Sequence, residues 1–312
     1  MNSVLVVLLA VSPYISRVLE YQPAPGQFCN TTICTPENLI GAESSMLYLG
    51  AYGGYVTFGF DHKVMNVADR KDLLIRGNAF ANNCEPGIIQ VSRDDNGNGL
   101  PDDTWYEIAG AAEDSAETIF GYEITYFKPD SLNQNILWRD NRGDSGYIYR
   151  NTYHTQAYWQ EDMDRETLTF RGTRLPDNAY VADTSNAQLW LLPGYAFGYA
   201  DNRTDSIDLD WAVDIETRLP VRLDGVDFVR VYTGVNQTCG WIGETSTEIL
   251  GAEDLNVPTG VETVQVSANP QSPDVEPQIH QPTAVRIISG HVLMEVEGHL
   301  YDLLGHPLPT DF

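Results

Sequence analysis

Positive charge is what this chain has least of. Lysine and arginine number 18 against 44 aspartates and glutamates, a formal net charge of −26 over 312 residues. Binding to nucleic acid or to an anionic lipid surface needs basic patches, so the composition argues against both partners. Histidine is sparse at six, and the four cysteines contain no C-x-x-C pair, which speaks against the common zinc frameworks. A bilayer-spanning helix needs ~20 apolar residues. The run at residues 4–11, Val-Leu-Val-Val-Leu-Leu-Ala-Val, falls far short of that. The chain also lacks a G-x-S-x-G elbow, an H-E-x-x-H pair and a phosphate-cradling glycine loop. Without a local catalytic signature, the prior for an enzyme drops.

The 4–11 run has the length of a signal-peptide core, although only the terminal amine stands in for a basic flank. The expectation is a signal peptide over residues 1–17 and export, with a buried first strand as the alternative. An even cysteine count in an exported chain suggests two disulfides. Three connectivities are open, among them Cys29–Cys34 with Cys84–Cys239, and buried thiols are the alternative.

Strand signals dominate what is present. Val56, Phe58 and Phe60 alternate with Tyr55, Thr57 and Gly59, the period of a half-buried strand. Short runs of the same kind recur at residues 73–75, 88–91, 106–108, 122–127, 168–170, 188–191, 207–211 and 228–232. Gly, Asn, Asp and Pro clusters separate them. Only residues 246–255 suggest a turn or two of helix. Many short strands with frequent turns predict an all-β, antiparallel β-sandwich or jelly-roll-like main domain over residues 18–257. Pro270, Pro273, Pro277 and Pro282 mark residues 258–283 as a linker. Residues 284–312 form a short C-terminal β segment, two strand-like runs around Ser289-Gly290.

The sharpest motif is Asp94-Asp95-Asn96-Gly97-Asn98-Gly99-Leu100-Pro101-Asp102. Calcium wants six to eight oxygens, and loop positions 1, 3, 5 and 9 here carry Asp94, Asn96, Asn98 and Asp102. Leu100 offers its carbonyl at position 7, after a glycine at the sharp turn. Trp105 stands at position 12 in place of the expected bidentate Glu, leaving that place to Glu107 or to water. The expected role of the ion is structural, because a closed oxygen cage leaves no position for a reacting water.

Two other constellations are candidates. Asp208 and Asp210, two apart on an expected strand, share one face, and with Asp201 they form a candidate second cation or ligand site. The same carboxylates are the candidates for a hydrolase pair. Tyr153, His154, Tyr158 and Trp159 form a candidate aromatic ligand platform. Glu244, Glu248, Glu253 and Asp254 read as surface charge.

The tail, with Tyr301-Asp302-Leu303-Leu304-Gly305 after two strand-like runs, resembles in shortened form the C-terminal sorting domain of the type IX secretion system of Bacteroidota. Segments such as Gly53-Gly54-Tyr55-Val56-Thr57-Phe58, Cys84-Glu85-Pro86-Gly87-Ile88, Gly198-Tyr199-Ala200-Asp201-Asn202 and Asp208-Leu209-Asp210-Trp211 make the central region similar to a set of large Bacteroidota cell-surface proteins. That resemblance implies a surface location beside outer-membrane uptake machinery, and a glycan or corrinoid as ligand. Together these features predict an exported, calcium-stabilised surface module that binds a small ligand without turnover. A carbohydrate-active hydrolase and a structural surface-layer component are the alternatives.

Overall fold

The computed structural model describes residues 11–31, 35–42, 44–161, 163–183, 185, 189–203 and 206–257. It also gives the backbone of the strands Leu5–Val7, Glu262–Val264, Ala284–Ile288, His291–Val296 and His299–Tyr301. The chain divides into two compact units, residues 8–261 and residues 1–7 with 262–312.

The larger unit is an all-β sandwich in which every pairing between named strands is antiparallel. Its centre is a six-stranded sheet in the order Ala212–Asp214, Trp105–Ile108, Gly87–Ser92, Gly225–Thr233, Tyr55–Met65, Arg17–Gln22. A four-stranded sheet runs Ser145–Ile148, Ile136–Asp140, Ile119–Phe127, Thr167–Arg174. A three-stranded sheet runs Ser206–Ile207, Leu73–Arg76, Gly251–Asp254.

Both faces of the central sheet are covered, and two apolar clusters show how. Phe58, Ile89, Val229 and Val231 pack with Leu73, Ile75, Ile207 and Ala252 of the three-stranded sheet. On the opposite face Ile88 and Tyr232 pack with Tyr122, Ile124, Tyr126 and Phe170 of the four-stranded sheet. Successive residues on one strand therefore enter different cores, as the two-residue period requires. The strand Gly87–Ser92 is buried at every position. The half-buried expectation for residues 55–60 is corrected for the same reason: Val56, Thr57, Phe58, Gly59 and Phe60 are all buried. Gly54 is required by close approach, since a Cβ there would collide with the Leu49 carbonyl and the Ala24 amide.

Other expectations shift. Ile15 is buried in the first cluster, the Ser16 amide donates to the Gly59 carbonyl and the Asp254 amide donates to the Pro13 carbonyl. The packing of the larger unit thus takes in residues before Val18 as well. Leu5–Val7, inside the expected leader core, pairs antiparallel with Glu262–Val264. Residues 246–255 form the strands Glu248–Ile249 and Gly251–Asp254 instead of a helical turn. Cys84 and Cys239 are not joined. The Cys84 thiol faces the Phe80 carbonyl at 3.6 Å, and the Cys239 thiol lies 3.6 Å from the Thr245 hydroxyl. Burial pushes the Cys239 thiol up to about 12, so it stays protonated. The Cys29–Cys34 pairing falls on Cys34, outside the described residues, as does most of the expected 258–283 linker.

In the smaller unit Ala284–Ile288 pairs with His291–Val296, and His291–Val296 with His299–Tyr301. The two runs expected around Ser289-Gly290 are these first two strands. Among the described residues no helix is long and apolar enough to cross a membrane.

Candidate functional site

Three loops, carrying Gln27, Asn151 and Ile242, are joined by hydrogen bonds. The amide of Gln27 is the relay between them: Asn151 Nδ2 donates to Gln27 Oε1 at 2.9 Å, and Gln27 Nε2 donates to the Ile242 carbonyl at 3.0 Å. Asn151 also shapes its own loop, its Oδ1 accepting from the Tyr153 and His154 amides at 2.9 and 2.8 Å. Trp241 stands on a short 3-10 turn, Gly240–Ile242, whose first residue Gly240 and C-cap Gly243 have φ of 57° and 100°. The result is a cleft of about 290 Å3.

Its walls are aromatic. Tyr153 and Trp241 meet edge to face with ring centres 5.9 Å apart, and both are more than half exposed. Phe28 packs edge-on against His154 at 4.5 Å. Of the expected platform, then, Tyr153 and His154 line the cleft. Tyr158 and Trp159 do not: both are fully buried in the second core, and the Tyr158 hydroxyl donates to the His154 carbonyl from beneath. They support the platform without presenting a face to a ligand, which corrects that part of the reading. Trp241 takes their place.

The floor is acidic. Glu85 and Glu248 line it, and their carboxylates and that of Asp201 place one oxygen each within 4.8 Å of the others. Asp201 is fully buried, with Oδ1 accepting from the Asn78 amide and Oδ2 from the Glu248 amide, both at 3.0 Å. Its φ of 49° lies in the left-handed region, a strain that Asp tolerates better than most residues. Gly77 allows the approach, because a Cβ there would lie 2.5 Å from Asp201 Oδ1. Glu85 Oε1 accepts from the Ser246 amide at 3.2 Å. Burial raises the Glu248 carboxyl well above its ordinary range, and the charges of Glu85 and Asp201 add to the effect. Burial raises Glu85 in the same direction. Behind the floor, Glu244 is 2% exposed and is pushed up to about 8 by burial. Its Oε1 accepts from the Gln27 amide at 2.7 Å. Glu244, Glu248 and Asp254 are thus buried, against the expectation of surface charge.

The expected grouping of Asp201 with Asp208 and Asp210 is not formed. Asp208 caps the 3-10 turn Leu209–Trp211, so the segment expected as a strand ends at Ile207. Asp208 Oδ1 accepts from the Asp210 amide, and its Oδ2 lies 3.4 Å from Lys71 Nζ. Asp210 accepts from Asn66 Nδ2 at 2.8 Å. Both carboxylates serve local structure, whereas Asp201 joins Glu85 and Glu248.

The 94–103 loop is tightly wound. Asp94 accepts from the Asn98 and Gly99 amides at 3.0 and 2.9 Å, and Gly97 and Gly99 take φ of 70° and 75°. Asn96 Nδ2 and Asn98 Nδ2 both converge on Asp102 at 3.0 Å, and these amides hold the Asp102 carboxyl below its usual range, Asn98 most. The amide oxygens are engaged as well, Asn96 Oδ1 accepting from the Asn98 amide at 2.9 Å and Asn98 Oδ1 from the Leu100 amide at 2.7 Å. Glu107 does not complete the expected set. Its carboxylate is buried between the sheets, accepting from Thr173 Oγ1 at 2.6 Å and the Tyr232 hydroxyl at 3.2 Å, with Arg218 Nη1 at 3.0 Å. That expectation is corrected: the acid is committed to the sandwich interior.

Neither known family models nor curated protein sequences provide a match to this chain.

Proposed function

We propose that the protein is an exported, calcium-stabilised surface module whose aromatic-walled cleft captures a small glycan without turnover. The cleft carries this reading. Exposed aromatic rings stack on the apolar faces of a sugar, and the carboxylates below accept from its hydroxyls. A space of about 290 Å3 suits one or two sugar rings. The acidic surface, the short hairpin near the C-terminus and its sorting-domain-like motif support a location outside the cell.

The test is calorimetric titration of the protein against a panel of mono- and oligosaccharides. One or more should bind saturably, and Trp241→Ala should weaken that binding at least tenfold with the fold intact by circular dichroism. Saturable cobalamin binding with no sugar binding would replace the glycan. Steady release of reducing ends, abolished by Glu248→Gln, would make the chain a hydrolase.

The loop makes a separate expectation. Calcium at 100-fold over its dissociation constant would add about 2.7 kcal/mol to folding. Thermal unfolding in calcium and in chelator measures this, and the difference should disappear in Asp94→Asn/Asp102→Asn. Equal melting temperatures in wild type would leave the segment an ordinary Asn-Gly turn.

A further inference from the structure

Glu85 and Glu248 on the cleft floor and the fully buried Asp201 beside them have the spacing of a coordination shell. Oxygens on opposite sides of a calcium-class ion, each at ~2.3–2.6 Å, stand up to about 5 Å apart, and one oxygen from each of Glu85, Asp201 and Glu248 lies within 4.8 Å of the other two. An acidic cluster of this kind often exists without an ion, so the spacing alone decides nothing. A second observation points to a ligand. Glu248 is 4% exposed, lines the cleft, and has an Oε2 that meets no hydrogen-bond donor. The charged groups beside it are the other two carboxylates, which repel it when ionised. Among the described residues no lysine or arginine lines the cleft to balance them. A buried carboxylate is ordinarily matched by donors or by a cation, and here Glu248 meets Glu85 and Asp201 side chain to side chain, through a shared proton in the place a cation would take.

The scaffold also holds the group in place. The Asn78 and Glu248 amides fix Asp201 from two sides, the Ser246 amide fixes Glu85, and the Glu85 amide donates to the Asp201 carbonyl at 3.1 Å. Such preorganisation suits a site that must overcome the mutual repulsion of its ligands when filled. All donors are carboxylate oxygens, which select hard ions over zinc or copper.

We infer that Glu85, Asp201 and Glu248 form a binding site for a hard divalent cation of the calcium class, with coordination positions open towards the cleft. Three side-chain ligands leave half or more of a six-to-eight-fold shell to water or to the hydroxyls of a bound molecule. The role of those hydroxyls rests on the glycan reading; the cation site itself does not. This site shares no residue with the 94–103 loop.

The experiment is calcium titration by calorimetry in the Asp94→Asn/Asp102→Asn background, which removes the loop's contribution. One saturable event per chain is expected to persist, and adding Glu248→Gln should weaken it at least tenfold. Absence of calcium, magnesium and manganese binding in that background would overturn the inference, as would an affinity unchanged by Glu248→Gln. Should the loop variant fail to fold, terbium luminescence on the otherwise unaltered chain separates the two sites. Trp241→Phe should remove the component sensitised from the cleft, and Trp105→Phe the one from the loop. A Trp241→Phe spectrum identical to wild type would count against the cleft site. Cation binding without sugar binding would leave this site standing and sink only the glycan reading.

Discussion

In chelator, the stability of this protein is expected to fall as pH rises from about 5 to about 8, the reverse of the usual acid sensitivity of carboxylate-rich proteins. The cause is Glu244, whose carboxyl sits at 4.5 when unperturbed and is pushed up to about 8 by burial. A folded-state value above the unfolded one means the native protein holds the proton more tightly. Its stabilising effect is complete below the unfolded value and is lost as pH climbs through the folded value. A gap of this width amounts to at most ~5 kcal/mol. Glu248 and Glu85 are raised by the same burial and act in the same direction. Asp102, Asp183 and Asp214 are lowered by local hydrogen bonds, so their contribution is lost only as pH drops below the ordinary carboxylate range. Maximum stability therefore belongs near pH 5. Urea midpoints at pH 5, 6.5 and 8 measure the slope. Glu244→Gln should flatten it, because the amide keeps the acceptor for the Gln27 amide without a charge. A wild-type midpoint that is flat or rising with pH over this range would contradict the argument.

Replacing Arg218 by Met should cost about 3–5 kcal/mol, the penalty for leaving a buried carboxylate without its cation. Arg218 bridges the sheets. Its Nη1 lies 3.0 Å from Glu107 Oε1, and its Nε and Nη2 engage both oxygens of Glu113 at 2.8 and 2.6 Å. The guanidinium also lies 4.4 Å from the centre of the Phe120 ring. The Glu107 side chain is only 2% exposed, so bulk solvent does little to offset the lost partner. Glu107→Gln in the same chain should recover much of the loss, since the amide carries no charge and its one oxygen still accepts from Thr173. A double-mutant cycle in urea separates the pair from its surroundings. A single Arg218→Met loss below about 1 kcal/mol would show that Thr173, Tyr232 and Gln90 suffice for Glu107. Arg218→Lys should fall between wild type and Arg218→Met, because a point charge cannot make the two-pronged contact with Glu113.

Much of the strand framework was legible because period-two alternation is a local property. The runs at 88–91, 122–127 and 228–232 all lie within strands. What alternation cannot tell is whether the second face is also covered. Ile88 and Ile89 are equally apolar in sequence, and only the assembled layers send them into different cores. The site was legible in part for a related reason. Asn151 fixes Tyr153 and His154 through short-range turn chemistry, so a cluster there was readable. Its partner Trp241 and the floor acids Glu85 and Glu248 come from distant loops, joined only by topology. One signal was overlooked: Glu248 sits between Thr247 and the apolar pair Ile249-Leu250, and a lone acid inside a β-prone run is a buried-charge signature. Asp208 and Asp210 misled because alternation continues through residues 207–211. Asp208 instead captures the Asp210 amide and starts a 3-10 turn, a local competition that hydrophobic period does not record.

The place of the strand Gly225–Thr233 also sets a timetable. It lies between Tyr55–Met65 and Gly87–Ser92, with Val231 opposite Val56 on one side and Ile89 on the other. Neither of those earlier strands can fill that edge until the ribosome has made residue 233. Long-range pairings of this kind fold slowly, and until they form the edges stay open to misassembly. Translation therefore runs nearly to the end of the larger unit before its middle can close. A truncation short of residue 225 should therefore give aggregate in place of a smaller sandwich.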